Sequence, residues 1–317
     1  MRRDEAGNII SGCATLAALL EVSAYPKPGN VHRTRDFPGT RYEHFLAGSI
    51  AIGPAMRSLA LRGFDVKKGS MHLRDVKIGS HMLEAVKEAS SWQRGGNVNL
   101  GIIILMAPMA AAAGSVLGAD ERISALRLVE VLKDVVRSTT PEDAVVVYDA
   151  LRLSVPVRVL GQVDELDVFD ASATTRIQEE GLTLLDVFGK CASRDSICRE
   201  WVSGFETTFN IGYPYLKDAL EKSGDVNDSV VNTFLRILSK QPDSLIQRKN
   251  GLEKAMEVSE MARSVLEEGG ASSKLGKESL MSMDEELGRE GGKLNPGTSA
   301  DLTAASIFVV LLEGWRP

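Results

Sequence analysis

Aromatic side chains are scarce in this 317-residue chain: three Trp, five Tyr and nine Phe, 5% of the total. A β-sandwich is built on aromatic and β-branched strands, so this shortage, set against plentiful Ala, Leu, Val, Gly and Ser, points to close-packed helices. Cysteine is scarce too. Cys13, Cys191 and Cys198 form no CxxC pair and have no histidine companions nearby, which argues against a disulfide framework or a zinc site and predicts reduced core thiols. An excess of positive charge is absent: 37 Lys and Arg against 43 Asp and Glu leave a net charge of −6, with a pI near 5.4. The whole-chain field therefore offers nothing to nucleic acid or to an anionic membrane. The strongest apolar run, residues 102–113, is interrupted by Pro108 and falls short of the roughly 20 residues that span a bilayer. It reads as a buried core helix. The start, Met1-Arg2-Arg3-Asp4-Glu5, carries acidic residues and leads into no cleavage pattern, so no signal peptide is expected and the cytoplasm is the expected location.

What is present is helical. Hydrophobic residues make up 44% and charged residues 25%, values of a globular protein able to bury a core. Apolar positions recur at helical spacing in nearly every long segment, and clean alternation is rare. Val230, Val231, Phe234, Leu235 and Leu238 share one face, and residues 14–20, 45–61, 123–136 and 256–266 repeat the pattern. Thr140-Pro141-Glu142-Asp143 reads as a helix start, with a Thr cap, Pro at the first position and acidic residues at the positive end of the dipole. The expectation is an all-α fold, a single compact multi-helix domain over residues 1–317, least defined over 157–186. The familiar nucleotide and hydrolase motifs are missing: no GxGxxG, no HExxH, no GxSxG. Gly270 to Lys277 fails as a P-loop, with five residues between its glycines and Glu278 in the Ser/Thr position.

Polar residues cluster instead in Gly/Pro loops ahead of apolar helices, where free backbone N–H groups favour anions. The first loop follows Glu21 and runs Pro26-Lys27-Pro28-Gly29-Asn30-Val31-His32-Arg33, two fixed cations and a titratable His on a stiffened backbone. It offers a grip on phosphates; a rigid surface turn is the competing reading. The second, Gly95-Gly96-Asn97-Val98-Asn99-Leu100-Gly101, lets a ligand approach the backbone and presents two amides, against ordinary Asn capping. In the third, Asn295-Pro296-Gly297-Thr298-Ser299-Ala300-Asp301, Thr298 or Ser299 can cap a helix whose first turn holds Asp301, either a dipole partner or a metal ligand. Asp164, Asp167 and Asp170 recur every third residue; on a helix they would share a face fit for Mg²⁺, though the residues alone favour a solvated acidic stretch.

In this order the loops resemble the triphosphoribosyl-dephospho-CoA synthase family, all-α transferases, over almost the whole chain. The opening pattern stands here as Glu21-Val22-Ser23-Ala24-Tyr25-Pro26-Lys27-Pro28-Gly29 and the closing one as Pro296-Gly297-Thr298-Ser299-Ala300-Asp301-Leu302. Two departures stand out. Bacterial members carry a His-Lys pair after their Gly-Gly, where this chain has Asn97-Val98-Asn99-Leu100-Gly101, similar to the archaeal branch; and the family's acidic stretch after the first loop becomes Thr40-Arg41-Tyr42-Glu43-His44.

The resemblance implies attack of the ribose 2′-hydroxyl of 3′-dephospho-CoA on the anomeric carbon of ATP, with release of adenine. Such a displacement calls for a carboxylate near the sugar, a base for the hydroxyl, Mg²⁺ and basic side chains for the triphosphate. On that basis Lys27, His32 and Arg33 are assigned to the triphosphate and Asn97 and Asn99 to the ribose or base, with Asn30 and Ser299 completing the nucleotide-binding set. Glu43 and Asp301 are candidates for general base or Mg²⁺ ligand, Asp167 for a further metal ligand, and Glu21 for a third carboxylate. Arg194 and Arg248 could add charge for the acceptor's phosphates, while Trp201 and Phe205 read as core. Two alternatives stay open: the same nucleotide site with a different cofactor-precursor acceptor, and a helical nucleotide-binding module without turnover. The expected partners are ATP and dephospho-CoA or a related small molecule, with no nucleic acid and no membrane; a homo-oligomer is neither required nor excluded.

Overall fold

The computed structural model describes residues 1–154, 165–289 and 291–317, and among these the regular structure is helical, with no strand and two isolated bridges, His32–Arg35 and Phe37–Thr40. The centre is α5 (Leu100–Gly118), every residue of which is buried. The apolar run read from the sequence extends in both directions here, and Pro108 lies inside the helix without ending it. Around α5 pack α1 (Arg3–Ser23), α3 (Gly53–Lys67), α6 (Ala125–Arg137) and the final helix, α16 (Gly297–Leu312). By length and composition alone, α1 and α5 could each cross a membrane; α5 is covered on all sides by protein.

Small residues let α3 and α5 meet backbone to backbone. A Cβ on Gly63 would stand 1.9 Å from the Ala111 carbonyl oxygen, and one on Gly114 1.9 Å from that of Ala60. Any side chain at either position would drive the helices apart.

The segment read as continuous over 45–61 is two helices, α2 (Tyr42–Ala51) and α3, because Pro54 occupies the first turn of the second. α4 (Ile78–Ser91) packs on α7 (Pro141–Ser154). The predicted start of α7 forms as a reciprocal cap: Asp143 N–H donates to Thr140 Oγ1 at 3.2 Å and Thr140 N–H to Asp143 Oδ2 at 2.9 Å. Short helices follow: α8 (Ala171–Glu179), α9 (Leu184–Cys191), α10 (Ser196–Ser203) and α11 (Tyr213–Ser223). Then come α12 (Val226–Lys240), whose predicted apolar face is buried, α13 (Ser244–Asn250), α14 (Leu252–Glu267) and α15 (Lys274–Gly288). Trp201 and Phe205 are core, the indole N–H donating to the Ile104 carbonyl at 3.3 Å. One apolar cluster runs from Ala6 to Leu312.

Candidate functional site

A cavity of about 280 Å³ opens where the N-termini of α5, α10, α13 and α16 approach one another. Its lining includes Gly101 in the first turn of α5 and Asp301 of α16, which lies just past the first turn and not within it as the sequence suggests, because the helix already begins at Gly297. These two touch: a Cβ added to Gly101 would lie 2.0 Å from Asp301 Oδ2, so only glycine leaves room for the carboxylate. Burial pushes the Asp301 carboxyl well above the ordinary carboxylate range, and the negative charges of Glu21, Asp243 and Asp195 push the same way, against the opposing pull of Lys27.

Glu21, at the C-terminal end of α1, also lines the cavity and is 3% exposed; its partner is the ammonium of Lys27, 0% exposed. The stiff Pro26-Lys27-Pro28 turn therefore sends Lys27 inward instead of presenting it to a ligand. Burial raises the Glu21 carboxyl against the charge of Lys27, and lowers the Lys27 ammonium against the charge of Glu21. Each group offsets part of the desolvation cost of the other.

Asn30, Asn97 and Asn99 line the same cavity, so all three loops read from the sequence contribute to it. Asn99 precedes α5 in a left-handed conformation (φ 63°) and does not cap the helix; its amide Nδ2 donates to Ser49 Oγ at 3.1 Å. Asp167 reaches the cavity as well. Residues 165–170 form a turn, with Asp167 Oδ1 accepting from Phe169 N–H at 2.8 Å, and Asp170 caps α8, so the described acidic residues do not form a ladder on a helix. Asp164 lies outside the described residues.

The other assignments fall elsewhere. His32 is buried with its Nε2 3.4 Å from Asp284 Oδ2, its ring edge-on to Tyr25, and it does not line the cavity. Arg33 turns to the surface, its guanidinium 5.5 Å from the centre of the Tyr25 ring. The bridge between His32 and Arg35 folds this part of the loop back on itself, away from the pocket. Glu43 is exposed on α2, 4.0 Å from Arg41 and outside the lining. Ser299 is also outside it: its N–H and Oγ–H both donate to Asp243 Oδ2, at 2.7 and 2.8 Å. The cap of α16 thus comes from another helix, and neither Thr298 nor Ser299 supplies it.

The cations that do line the cavity are Lys190, Arg194 and Arg248. Lys190 pairs with Glu165 at 3.0 Å, and Arg248 with Asp195, while the Arg194 side chain is exposed with no ion pair among the described residues. Arg194 sits in a turn closed by a disulfide. Cys191 at the end of α9 and Cys198 in α10 are bonded, with Cα atoms 5.8 Å apart, and only Cys13 is free. This corrects the expectation of three reduced thiols: a reversal of direction between two short helices brings together cysteines whose spacing matches no motif. Tyr148, Leu151, Val187 and Phe188 supply an apolar part of the wall.

Guanidinium groups sharing one cavity with a carboxylate of raised proton affinity, in an all-α shell, suit an anionic small-molecule substrate, and the family match makes the protein a transferase. The chain belongs to the family described as ATP:dephospho-CoA triphosphoribosyl transferase, which it matches over residues 8–317. It is 25% identical over 304 residues to a 2-(5″-triphosphoribosyl)-3′-dephosphocoenzyme-A synthase of Klebsiella pneumoniae, covering 92% of this chain and 87% of that one. To the synthase of the same name from Escherichia fergusonii it is 23% identical over 312 residues, covering 95% and 89%. A crystal structure from Archaeoglobus fulgidus, named for the same synthase family, superposes with a TM-score of 0.64 and 28% identity over 87% of this chain and all of that one.

Proposed function

We propose that this protein transfers the triphosphoribosyl group of ATP to the ribose 2′-hydroxyl of 3′-dephospho-CoA and releases adenine. The observation that carries the reading is Asp301, a carboxylate of raised proton affinity in a cavity whose lining also supplies Lys190, Arg194 and Arg248. The 2′-oxygen forms a bond to the anomeric carbon, the bond from that carbon to the adenine nitrogen breaks, and the departing adenine takes a proton from water, which balances the hydroxyl proton lost on the other side. Asp301 takes the hydroxyl proton; its raised proton affinity makes it a stronger base than an exposed carboxylate once it is ionised. Negative charge at Asp301 and Glu21 also favours the oxocarbenium character of the transition state. The cations meet phosphates, with the exposed Arg194 turned to solvent, and the amides of Asn97 and Asn99 orient ribose or base.

Among the described residues no three His, Cys, Asp or Glu side chains are grouped to hold a metal. Mg²⁺ arriving with a triphosphate needs only one or two protein carboxylates, because phosphate and water supply its other oxygens. Asp167 fits that part, leaving Asp301 as the base, and the ion would neutralise phosphate charge. On this reading the reaction is expected in the cytoplasm.

The test is chromatographic detection of free adenine after incubation with ATP, Mg²⁺ and dephospho-CoA, beside a control without acceptor. Adenine that appears only with dephospho-CoA supports the reading; bound ATP with no adenine overturns it. A second reading keeps the nucleotide site and changes the acceptor, favoured by the stretch Asn97-Val98-Asn99-Leu100-Gly101, which lacks the His-Lys pair of the bacterial pattern. It expects adenine release with another hydroxyl-bearing cofactor precursor and none with dephospho-CoA.

A further inference from the structure

Asp243 lies outside the cavity lining, yet its buried carboxylate is shared between two helices that form the wall. Oδ1 accepts from Leu245 N–H at 2.9 Å and from Ile246 N–H at 3.2 Å, closing the first turn of α13. Oδ2 accepts both Ser299 donors, closing the first turn of α16. α13 carries Arg248 and α16 carries Asp301, and the two helices are otherwise far apart in sequence. A neighbouring hydroxyl extends the junction: Ser244 Oγ–H donates to Thr298 Oγ1 at 3.0 Å and accepts from Ser196 N–H at 3.2 Å, which ties in α10. Asp195 repeats the device on a smaller scale, capping α10 through Ile197 and Cys198 with one oxygen and holding Arg248 with the other.

We infer that Asp243 is a positioning residue for the transfer reaction: by clamping the first turns of α13 and α16 with one carboxylate, it fixes Arg248 and Asp301 relative to each other. The charge and four acceptor contacts suit this task, since an uncharged amide can accept on one side only. An Asn at this position must turn an N–H toward either Ser299 or the start of α13, and one helix loses its cap. A catalytic group displaced by a fraction of an ångström loses rate without loss of the fold.

The inference rests on the transferase reading, and the experiment separates the two. Wild-type protein is assayed first for adenine release with ATP, Mg²⁺ and dephospho-CoA; if it releases none, the reading of function fails before any variant is compared. With an active wild type, Ser299→Ala loosens only the α16 side and is expected to lower kcat several-fold with KM unchanged. Asp243→Asn loosens both sides and is expected to lower kcat by about tenfold or more and to raise KM for a phosphate-bearing substrate. Asp143→Asn is the control: that buried carboxylate joins α4 to α7 through Gly79 N–H and Thr140, and its loss is expected to lower Tm while leaving kcat unchanged. If Asp243→Asn does not fold, Ser299→Ala decides alone. Folded Asp243→Asn or Ser299→Ala with wild-type kcat and KM, or an equal loss of kcat in Asp143→Asn, overturns the positioning role.

Discussion

The Gly101 backbone lies flush against the Asp301 carboxylate, with an added Cβ falling 2.0 Å from Oδ2 and 2.4 Å from Cγ. A methyl group there must displace either α5 or the acidic side chain, and α5 is packed on every side. Gly101→Ala is therefore expected to abolish adenine release and to cost about 1–3 kcal/mol of stability, measured by denaturant unfolding. Retained activity with an unchanged unfolding midpoint would show that the side chain moves freely.

Replacing Asp301 itself separates stability from activity. Its folded proton affinity is raised, so between its ordinary value and its folded value the native state binds more protons than the unfolded chain, and stability falls as pH rises through that window. Asp301→Asn removes a charge repelled by Glu21, Asp243 and Asp195. It is expected to raise Tm at neutral pH, to flatten the decline of stability with rising pH, and to lower turnover about a hundredfold. In the wild type, the acidic limb of the rate profile should lie above the ordinary carboxylate range. A limb in that ordinary range, or full activity of the Asn variant, would remove Asp301 as the base.

The buried Glu21–Lys27 pair makes a different prediction. Glu21→Gln leaves the Lys27 ammonium without its counter-charge and is expected to cost about 3–5 kcal/mol. The double change Glu21→Leu with Lys27→Met should recover most of that loss in urea unfolding and still fail to release adenine, because negative charge has left the cavity wall. Additive single-site costs would mean that the two residues are energetically independent.

Arg194→Ala should raise KM for a phosphate-bearing substrate by about tenfold with little change in kcat, since among the described residues the guanidinium has no ion pair to lose. Arg248→Ala also strands Asp195, the cap of α10, and should lower thermal stability as well as binding. Measuring KM against added salt distinguishes the two, because the exposed Arg194 is screened more strongly than the half-buried Arg248.

Much of this architecture is legible in the sequence where the signal is local. The apolar face of α12 and the start of α7 follow from spacing and capping chemistry, and the Gly/Pro loops deliver Glu21, Asn30, Asn97, Asn99 and Asp301 to one cavity. Direction within a loop is less accessible. Lys27 turns inward to a carboxylate on the preceding helix, whereas His32 and Arg33, five and six residues on, are carried away by a fold-back that composition does not encode. Asp243 shows the limit most clearly. It caps the helix that follows it directly, yet the second helix held by the same carboxylate begins more than fifty residues later.

The burial of α5 also shapes how the chain can be made. This helix is long and apolar enough to cross a membrane, and part of its cover is α16, which is synthesised after the other described helices. Until residue 312 has emerged, the most water-averse segment of the protein lacks a wall. A chain cut before residue 297 should consequently behave as a sticky intermediate, captured by chaperones or lost to aggregation, even though every other helix among the described residues is present.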